Sequence, residues 1–592
     1  MLLVQNCMRT HLKAGPNFMN KKTNLLLFAI LVLSKLTVAQ TNLYVTPDGN
    51  GAVCSEQFPC SLEGIKSKLR QLNLTDVGKV QVIFNAPKFD LLSSFLITSD
   101  EAGNINNQIT FKSADGQRAQ LQGGLRVTNW KPTGSGIYKA EIPIGIDSRQ
   151  LYVNGKMAIR ARYPNRKDSA DFGPYNRLLG FDQKNKTIFV RPSELPAVKE
   201  LNQVEMVINQ HWYQSRVRIS SIVAMKDTLV ITPLKEERPY LFQLTYARML
   251  DPNKPYYFEN AIEFLDDESE WYINKQTSYL YYKPKSGENI AELDIVLPIT
   301  ETLIQVSGTN TKPVHNVTFE NIEISYGTWL TPSKKGSIAT QGVQIRGSKD
   351  DPGPGLFQAQ FARNLTIKNC NVSNAGAHGI VFSKGVQNSS IIQNHIHEIS
   401  ANGIVIDTYR KAFPPDSLMS KNNLIADNLI ENLGMHYTNG MGILASCVIK
   451  HIIEYNEIRN CRYTGMQIGN HYGDNLNGMR DNYIRKNNIH HVMQLHDDGG
   501  AIYTLSTQPG TKISENWIHS YGKSEWADNF PVNGIFLDND SAYMRVERNV
   551  FSELTNVDRI KEQYSPPSTH DNILIDNNLR DEEIKHSAGI RK

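Results

Sequence analysis

The chain has 592 residues, with 63 Lys and Arg against 59 Asp and Glu, for a net charge of +4. The two signs are interspersed and no basic stripe is interleaved with aromatics, which excludes the electrostatic footprint of nucleic-acid binding. So long a chain exceeds one ordinary compact core, a limit that a fold growing along one axis escapes.

The N-terminus reads as an export leader. Asn20-Lys21-Lys22 is a basic patch, Leu25 to Leu33 is apolar, and Thr37-Val38-Ala39 is a small-residue cleavage site. Met19 reads as the better start. The apolar stretch is too short for a membrane span, and no later segment is long enough. The expectation is a secreted or periplasmic protein that begins near Gln40, with residues 1–40 as leader and signal peptide.

Residues 41–122 read as a cap and the first coils of a solenoid. Leu43-Tyr44-Val45, Val80 to Phe84 and Gln108 to Phe111 are strands, and Leu62 to Leu72 is a capping helix over the open end. Cys54 and Cys60 flank a Pro-containing turn, and export predicts a disulfide between them. Residues 123–300 alternate apolar and polar and carry many aromatics. They predict an inserted domain of antiparallel hairpins, one of them turning at Gln276-Thr277.

The main repeat fills residues 301–592. Seven asparagines recur: Asn369, Asn394, Asn428, Asn456, Asn487, Asn516 and Asn549. Their spacings, by subtraction, are 25, 34, 28, 31, 29 and 33 residues. A Gly-led apolar strand follows each of the first six, from Gly379 to Gly534. Periods of this size with short β runs predict an all-β, right-handed parallel β-helix. The asparagines should form one turn column that satisfies buried backbone. Cys370, Cys447 and Cys461 match no zinc spacing and read as buried apolar side chains.

Chemistry is expected at two acidic segments on consecutive coils, His496-Asp497-Asp498-Gly499-Gly500 and Leu537-Asp538-Asn539-Asp540. Glycoside cleavage needs one carboxylic acid to protonate the leaving oxygen and one carboxylate as nucleophile or base. Crowded carboxylates would push their proton affinities apart. Aligning Gly500 with Gly534 separates Asp498 from Asp538 by six positions, about 20 Å along a straight strand. The pair therefore requires the Asp497–Gly500 turn to fold back, which the double glycine would permit.

These motifs resemble those of exported bacterial β-helix glycosidases, closest to glycoside hydrolase family 141. The front half agrees. Gln150 to Lys156 with Arg160 to Asn165 is similar to the segment that opens the inserted domain there, and Glu270 to Asn274 with Leu280-Tyr281-Tyr282 to the hairpin that closes it. The resemblance implies action on fucose- or xylose-containing plant glycans. It implies two catalytic aspartates, which map onto Asp497 or Asp498 and onto Asp538. Asn539 departs from it, since many relatives carry a second acid there.

Asp540, His496, Gln467, His471 and Trp526 are the expected substrate-binding residues, with Asp407 as a more distant sugar ligand. No metal, cofactor, nucleic acid or membrane span is expected. The partner is a polysaccharide or oligosaccharide, and the chain is expected to be a monomer. Two alternatives stay open. A polysaccharide lyase would need a base and a cation, for which His496 and Arg462 are the nearest candidates. A non-catalytic carbohydrate-binding solenoid would have no close carboxylate pair.

Overall fold

Three long parallel sheets wind along one axis in the computed structural model. It describes residues 40–592 except 77, 167–172, 244–249, 345–352, 408–414, 470–477, 528–529, 563–568, 578–579 and 592. The leader read from residues 1–39 lies outside the described residues. The first sheet has 12 strands, from Gln40–Val45 to Ile573–Ile575. The second has 10, from Phe95–Thr98 to Asp558–Glu562, and the third 10, from Lys88–Asp90 to Val550–Thr555. All the Gly-led segments fall in the second sheet, among them His378–Lys384, Gly499–Thr504 and Val532–Leu537. This is the parallel β-helix that the repeat predicts.

Equivalent residues stack from coil to coil, so the core is a set of columns. Phe111 and Phe319 stack with ring centroids 4.8 Å apart, and Phe357 meets Phe319 edge-on at 5.0 Å. At one turn the side-chain amides form a continuous ladder. Asn394 donates its backbone N–H and Nδ2 to Asn428 Oδ1, at 3.0 and 2.9 Å. The same pair of bonds runs on through Asn456, Asn487, Asn516 and Asn549 to Asn577. Every rung as far as Asn549 satisfies buried backbone groups.

Asn369 corrects the expected column. The strand register pairs Asn371 with His395, so Cys370 faces Asn394 and takes the ladder position. Asn369 stands one residue earlier, in a left-handed conformation at φ 49°. Gln393, Asp427, Tyr455, Lys486, Glu515, Arg548 and Asp576 precede the other rungs in the same conformation. Asparagine tolerates that region well, so its presence there has a separate cause.

The N-terminal end is closed as expected. The helix Leu62–Asn73 is capped by Ser61, whose hydroxyl accepts from Gly64 N at 3.1 Å, and it buries Ile65 and Leu69. A disulfide joins Cys54 to Cys60. Cys370, Cys447 and Cys461 are free and buried.

The inserted domain leaves the solenoid after Gln120–Gln122 and returns before Ile304–Ser307. Its sheets are mainly antiparallel, and the hairpin pairing Trp271 with Tyr282 turns where the sequence predicts. One segment outside the predicted limits belongs with it: Ser337–Thr340 pairs with Tyr213–Met225 of the insertion. A buried ion network locks the two parts together. Arg149 spans Glu205 at 2.7 Å, Arg160 spans Glu259 at 2.7 Å, and Arg216 also meets Glu259. Arg149 Nε donates to Tyr437 Oη at 3.2 Å, and Arg216 Nη2 to the His436 carbonyl at 3.2 Å. Buried at full depth, Glu205 is still held down to about 2 by Arg149 and Arg160, against the desolvation that opposes it.

Candidate active site

The acidic segments flank paired strands of the second sheet. Asp497 and Asp498 precede Gly499–Thr504, and Asp538 follows Val532–Leu537 on the next coil. The register pairs Gly500 with Asn533 and Tyr503 with Phe536. The alignment of Gly500 with Gly534 is therefore wrong by one residue, and the offset to be cancelled grows by about 3.3 Å.

The double glycine does not make the turn. Gly499 and Gly500 are ordinary strand residues, and the left-handed residue is Asp498 itself, at φ 54°. The glycines serve close packing instead. A Cβ on Gly499 would lie 2.6 Å from Thr464 Oγ1, and one on Gly500 would lie 2.5 Å from the Asn533 carbonyl oxygen.

The turn is tied to the neighbouring coil through one phenol. Tyr463 is buried and donates its hydroxyl to the Asp498 carbonyl at 2.8 Å. Burial pushes this phenol well above its usual range, and the charges of Asp498, Asp497 and Asp538 all add to the rise. Asp498 and Asp538 lie within electrostatic reach of each other. Burial raises the Asp498 carboxyl well above the ordinary value, with Asp538 and Asp497 as the next causes and Lys561 opposing. Among the described residues its carboxylate has no hydrogen-bond donor. Asp538 is raised too, first by burial, but the Tyr503 hydroxyl and the Asn539 backbone favour its charged form. The two environments thus differ in kind: both carboxyls are raised, but only Asp538 has hydrogen bonds that favour its charged form.

Tyr503 sits outward on its strand, bonded to Asp538 Oδ2 and accepting from Gln341 Nε2 at 2.9 Å. Replacing Tyr503 with Phe removes a hydrogen bond to a charged group, worth about 1.5–3 kcal/mol. The acidic limb of the pH–rate profile is expected to move up by about 1–2 units. An unmoved limb would separate Asp538 from the reaction.

The remaining expected residues divide. Gln467 is buried beside Tyr503 on the neighbouring coil and donates to the Gly469 carbonyl at 2.9 Å. Asp540 lies in a left-handed turn and its charge raises Asp538. Trp526 is half-buried, meets Tyr175 edge-on at 4.9 Å, and carries the Arg177 guanidinium over its ring at 4.8 Å. His471 lies outside the described residues. His496 is buried, with Nδ1 at the Gln210 carbonyl (2.9 Å) and Nε2 at Thr438 Oγ1 (2.9 Å). Burial lowers it to about 4, so it is neutral and already engaged on both nitrogens, a correction to its expected role at a sugar. Asp407 is corrected likewise: it is buried and accepts from Ser420 N at 2.8 Å and Ser420 Oγ at 3.0 Å. Arg462 is buried, and burial lowers it to about 9. Neither residue proposed for a lyase presents an accessible base.

Sequence reasoning missed the contribution of the inserted domain. The two-residue turn His211-Trp212 joins Glu205–Gln210 to Tyr213–Met225 and reaches the aspartate segment. His211 Nδ1 lies 3.0 Å from Asp497 Oδ1, and Asp497 N donates to the His211 carbonyl at 3.1 Å. Beside them is a cavity of about 400 Å³, lined by Arg177, Lys254, His211, Asp497, Trp526 and Phe530 among others. Among the described residues no cluster of His, Cys, Asp and Glu is arranged to hold a metal, and no helix is long and apolar enough to cross a membrane.

A comparison with curated proteins finds no match. A solved glycoside hydrolase is similar over 93% of this chain and 99% of its own, with a TM-score of 0.83 and 23% identity. XylC, solved with xylose, aligns over 87% of this chain and 70% of its own at TM-score 0.47 and 13% identity. The GH136 lacto-N-biosidase from Eubacterium ramulus aligns over 91% and 68%, at TM-score 0.32 and 11% identity. Residues 137–285 match the family model of the GH141 insertion domain. The insertion matched to that family, set in a β-helix of the same architecture as a solved glycoside hydrolase, supports a glycosidase.

Proposed function

We propose that this protein is a glycoside hydrolase that cleaves fucose- or xylose-containing plant glycans with Asp498 as general acid and Asp538 as base or nucleophile. The observation that carries the reading is the pair of unlike carboxyl environments: Asp498 raised well above its ordinary value and, among the described residues, without a hydrogen-bond donor, Asp538 anchored by Tyr503. Asp498 gives its proton to the departing glycosidic oxygen. Asp538 either attacks the anomeric carbon or takes a proton from the attacking water. Asp497 stays beside the acid and helps hold its proton by its charge. The match of residues 137–285 adds support for the family, and the resemblance in the aspartate motifs supports the sugar class. Export is part of the same reading, because an extracellular or periplasmic enzyme meets such polymers.

The test is incubation of the purified protein with defined plant oligosaccharides, with proton NMR of the released sugar. Release of fucose or xylose is expected, and the first anomer to appear separates retention from inversion. Asp538→Asn keeps the shape and is expected to lower turnover by at least about 10²-fold. Near-normal hydrolysis by that variant would place the chemistry elsewhere, and no release from any glycan would remove the reading.

A further inference from the structure

The inserted domain sends a polar chain into the acidic site. Lys254 Nζ lies 3.1 Å from His211 Nε2, His211 Nδ1 lies 3.0 Å from Asp497 Oδ1, and Phe530 N donates to Asp497 Oδ2 at 3.3 Å. An ammonium can only donate, so Nε2 accepts and the ring proton stands on Nδ1, directed at Asp497. The backbone fixes the same contact, through Asp497 N to the His211 carbonyl at 3.1 Å. His496 ties the turn down as well, with Nδ1 3.1 Å from that carbonyl. Lys254, His211, Asp497 and His496 are all buried.

We infer that His211, backed by Lys254, is a positioning residue: it holds the Asp497 carboxylate in place on the acidic turn, next to Asp498. This rests on the reading of Asp498 as the acid. Asp497 is fully buried, so its place on the turn is set by the few groups that bond it, His211 and the Phe530 N–H. Without His211, the Asp497 carboxylate keeps only the Phe530 N–H as a side-chain contact, and the like charge it places near Asp498 is no longer fixed there. Neighbouring charges set the scale of the effect. Asp498 faces Asp538 and Asp497, with Lys561 opposing and Tyr463 bonded to its carbonyl. Lys254 faces Asp497, Asp251 and Arg177, and burial lowers it. His211 faces Asp497, Lys254 and His496.

The experiment needs no substrate. Thermal unfolding of the whole protein is followed from about pH 4 to pH 8, with and without Asp498→Asn. The difference between the two curves reports where Asp498 titrates in the folded state. In a His211→Asn background the midpoint of that difference is expected to move toward acid by about one pH unit. Asp497→Asn should give the same shift, and His211→Asn added to Asp497→Asn should give no more, because one acts through the other. If His211→Asn only lowers stability and leaves the midpoint in place, the inference fails. Additive shifts from the two substitutions also overturn it. Lys254→Met is the second variant should His211→Asn not fold, and the same midpoint shift, smaller, is expected. If Asp498→Asn leaves hydrolysis intact, the proposed function fails instead, whatever the unfolding curves show.

Discussion

Asp498→Asn is expected to lower hydrolysis by about 10²–10⁴-fold, the usual contribution of a general acid, while raising the melting temperature at neutral pH. The sign follows from the raised proton affinity of Asp498. A carboxyl whose folded value lies above its unfolded value stabilises fully only below the unfolded value, near 3.8. That contribution is lost as pH rises toward the folded value, because the unfolded chain releases its proton first. At pH 7 the carboxyl therefore costs stability that asparagine does not. The gain should vanish near pH 3.5 and grow on going to neutral pH. Function maintained against stability is the signature of an active-site acid. A variant that loses stability and keeps activity would mark Asp498 as a turn residue and nothing more.

Asn456→Ala, in the middle of the ladder, is expected to destabilise the protein by about 3–5 kcal/mol. Asn456 Oδ1 accepts from Asn428 N at 3.1 Å and Asn428 Nδ2 at 2.9 Å. Its Nδ2 donates to the Ile425 carbonyl at 3.0 Å and to Asn487 Oδ1 at 3.0 Å. Alanine leaves each of those groups short of a partner in a place that water does not enter, at about 1–3 kcal/mol per unsatisfied group. Denaturant midpoints measure the loss. Each coil contacts only its neighbours, so the break should also split unfolding into two transitions. A change within about 0.5 kcal/mol would show that the ladder is ornament to a stability supplied by the apolar columns.

Much of the architecture was legible because the repeat carries it. Six of the seven asparagines and all the Gly-led strands fall where spacing puts them. Asn369 misled because asparagine suits two adjacent positions for two reasons, the ladder and the left-handed residue before it. At the acidic site the residue types were legible and the geometry was not. Gly499-Gly500 reads as a turn in sequence, but what makes glycine necessary is Thr464 and Asn533 on neighbouring coils, a contact that no local pattern encodes. His211 escaped for a similar reason. It lies 286 positions from Asp497, in a hairpin turn whose sequence looks unremarkable. No local pattern marks Arg149, Arg160 and Arg216 as the buried arginines of one ion network.

The way the insertion leaves and re-enters the solenoid bears on how the chain is assembled. Ser113 Oγ donates to the Asn321 carbonyl across 208 positions, so the coil before the insertion must wait for the coil after it. Ring closure over such a length is entropically unfavourable, though each doubling adds only about 0.6 kcal/mol. The stem of the insertion shortens the wait: Gly124–Arg126 pairs directly with Ile295–Pro298, which brings the two exits together. During synthesis the N-terminal coils emerge first and stand with an open sheet edge. Once the inserted domain has folded, its paired stem holds the next coil near that edge. A nascent chain stopped short of Ile295 would hold the unpaired edge indefinitely and is expected to associate with other chains through it. The insertion is thus a timing element for the solenoid as well as a wall of its site.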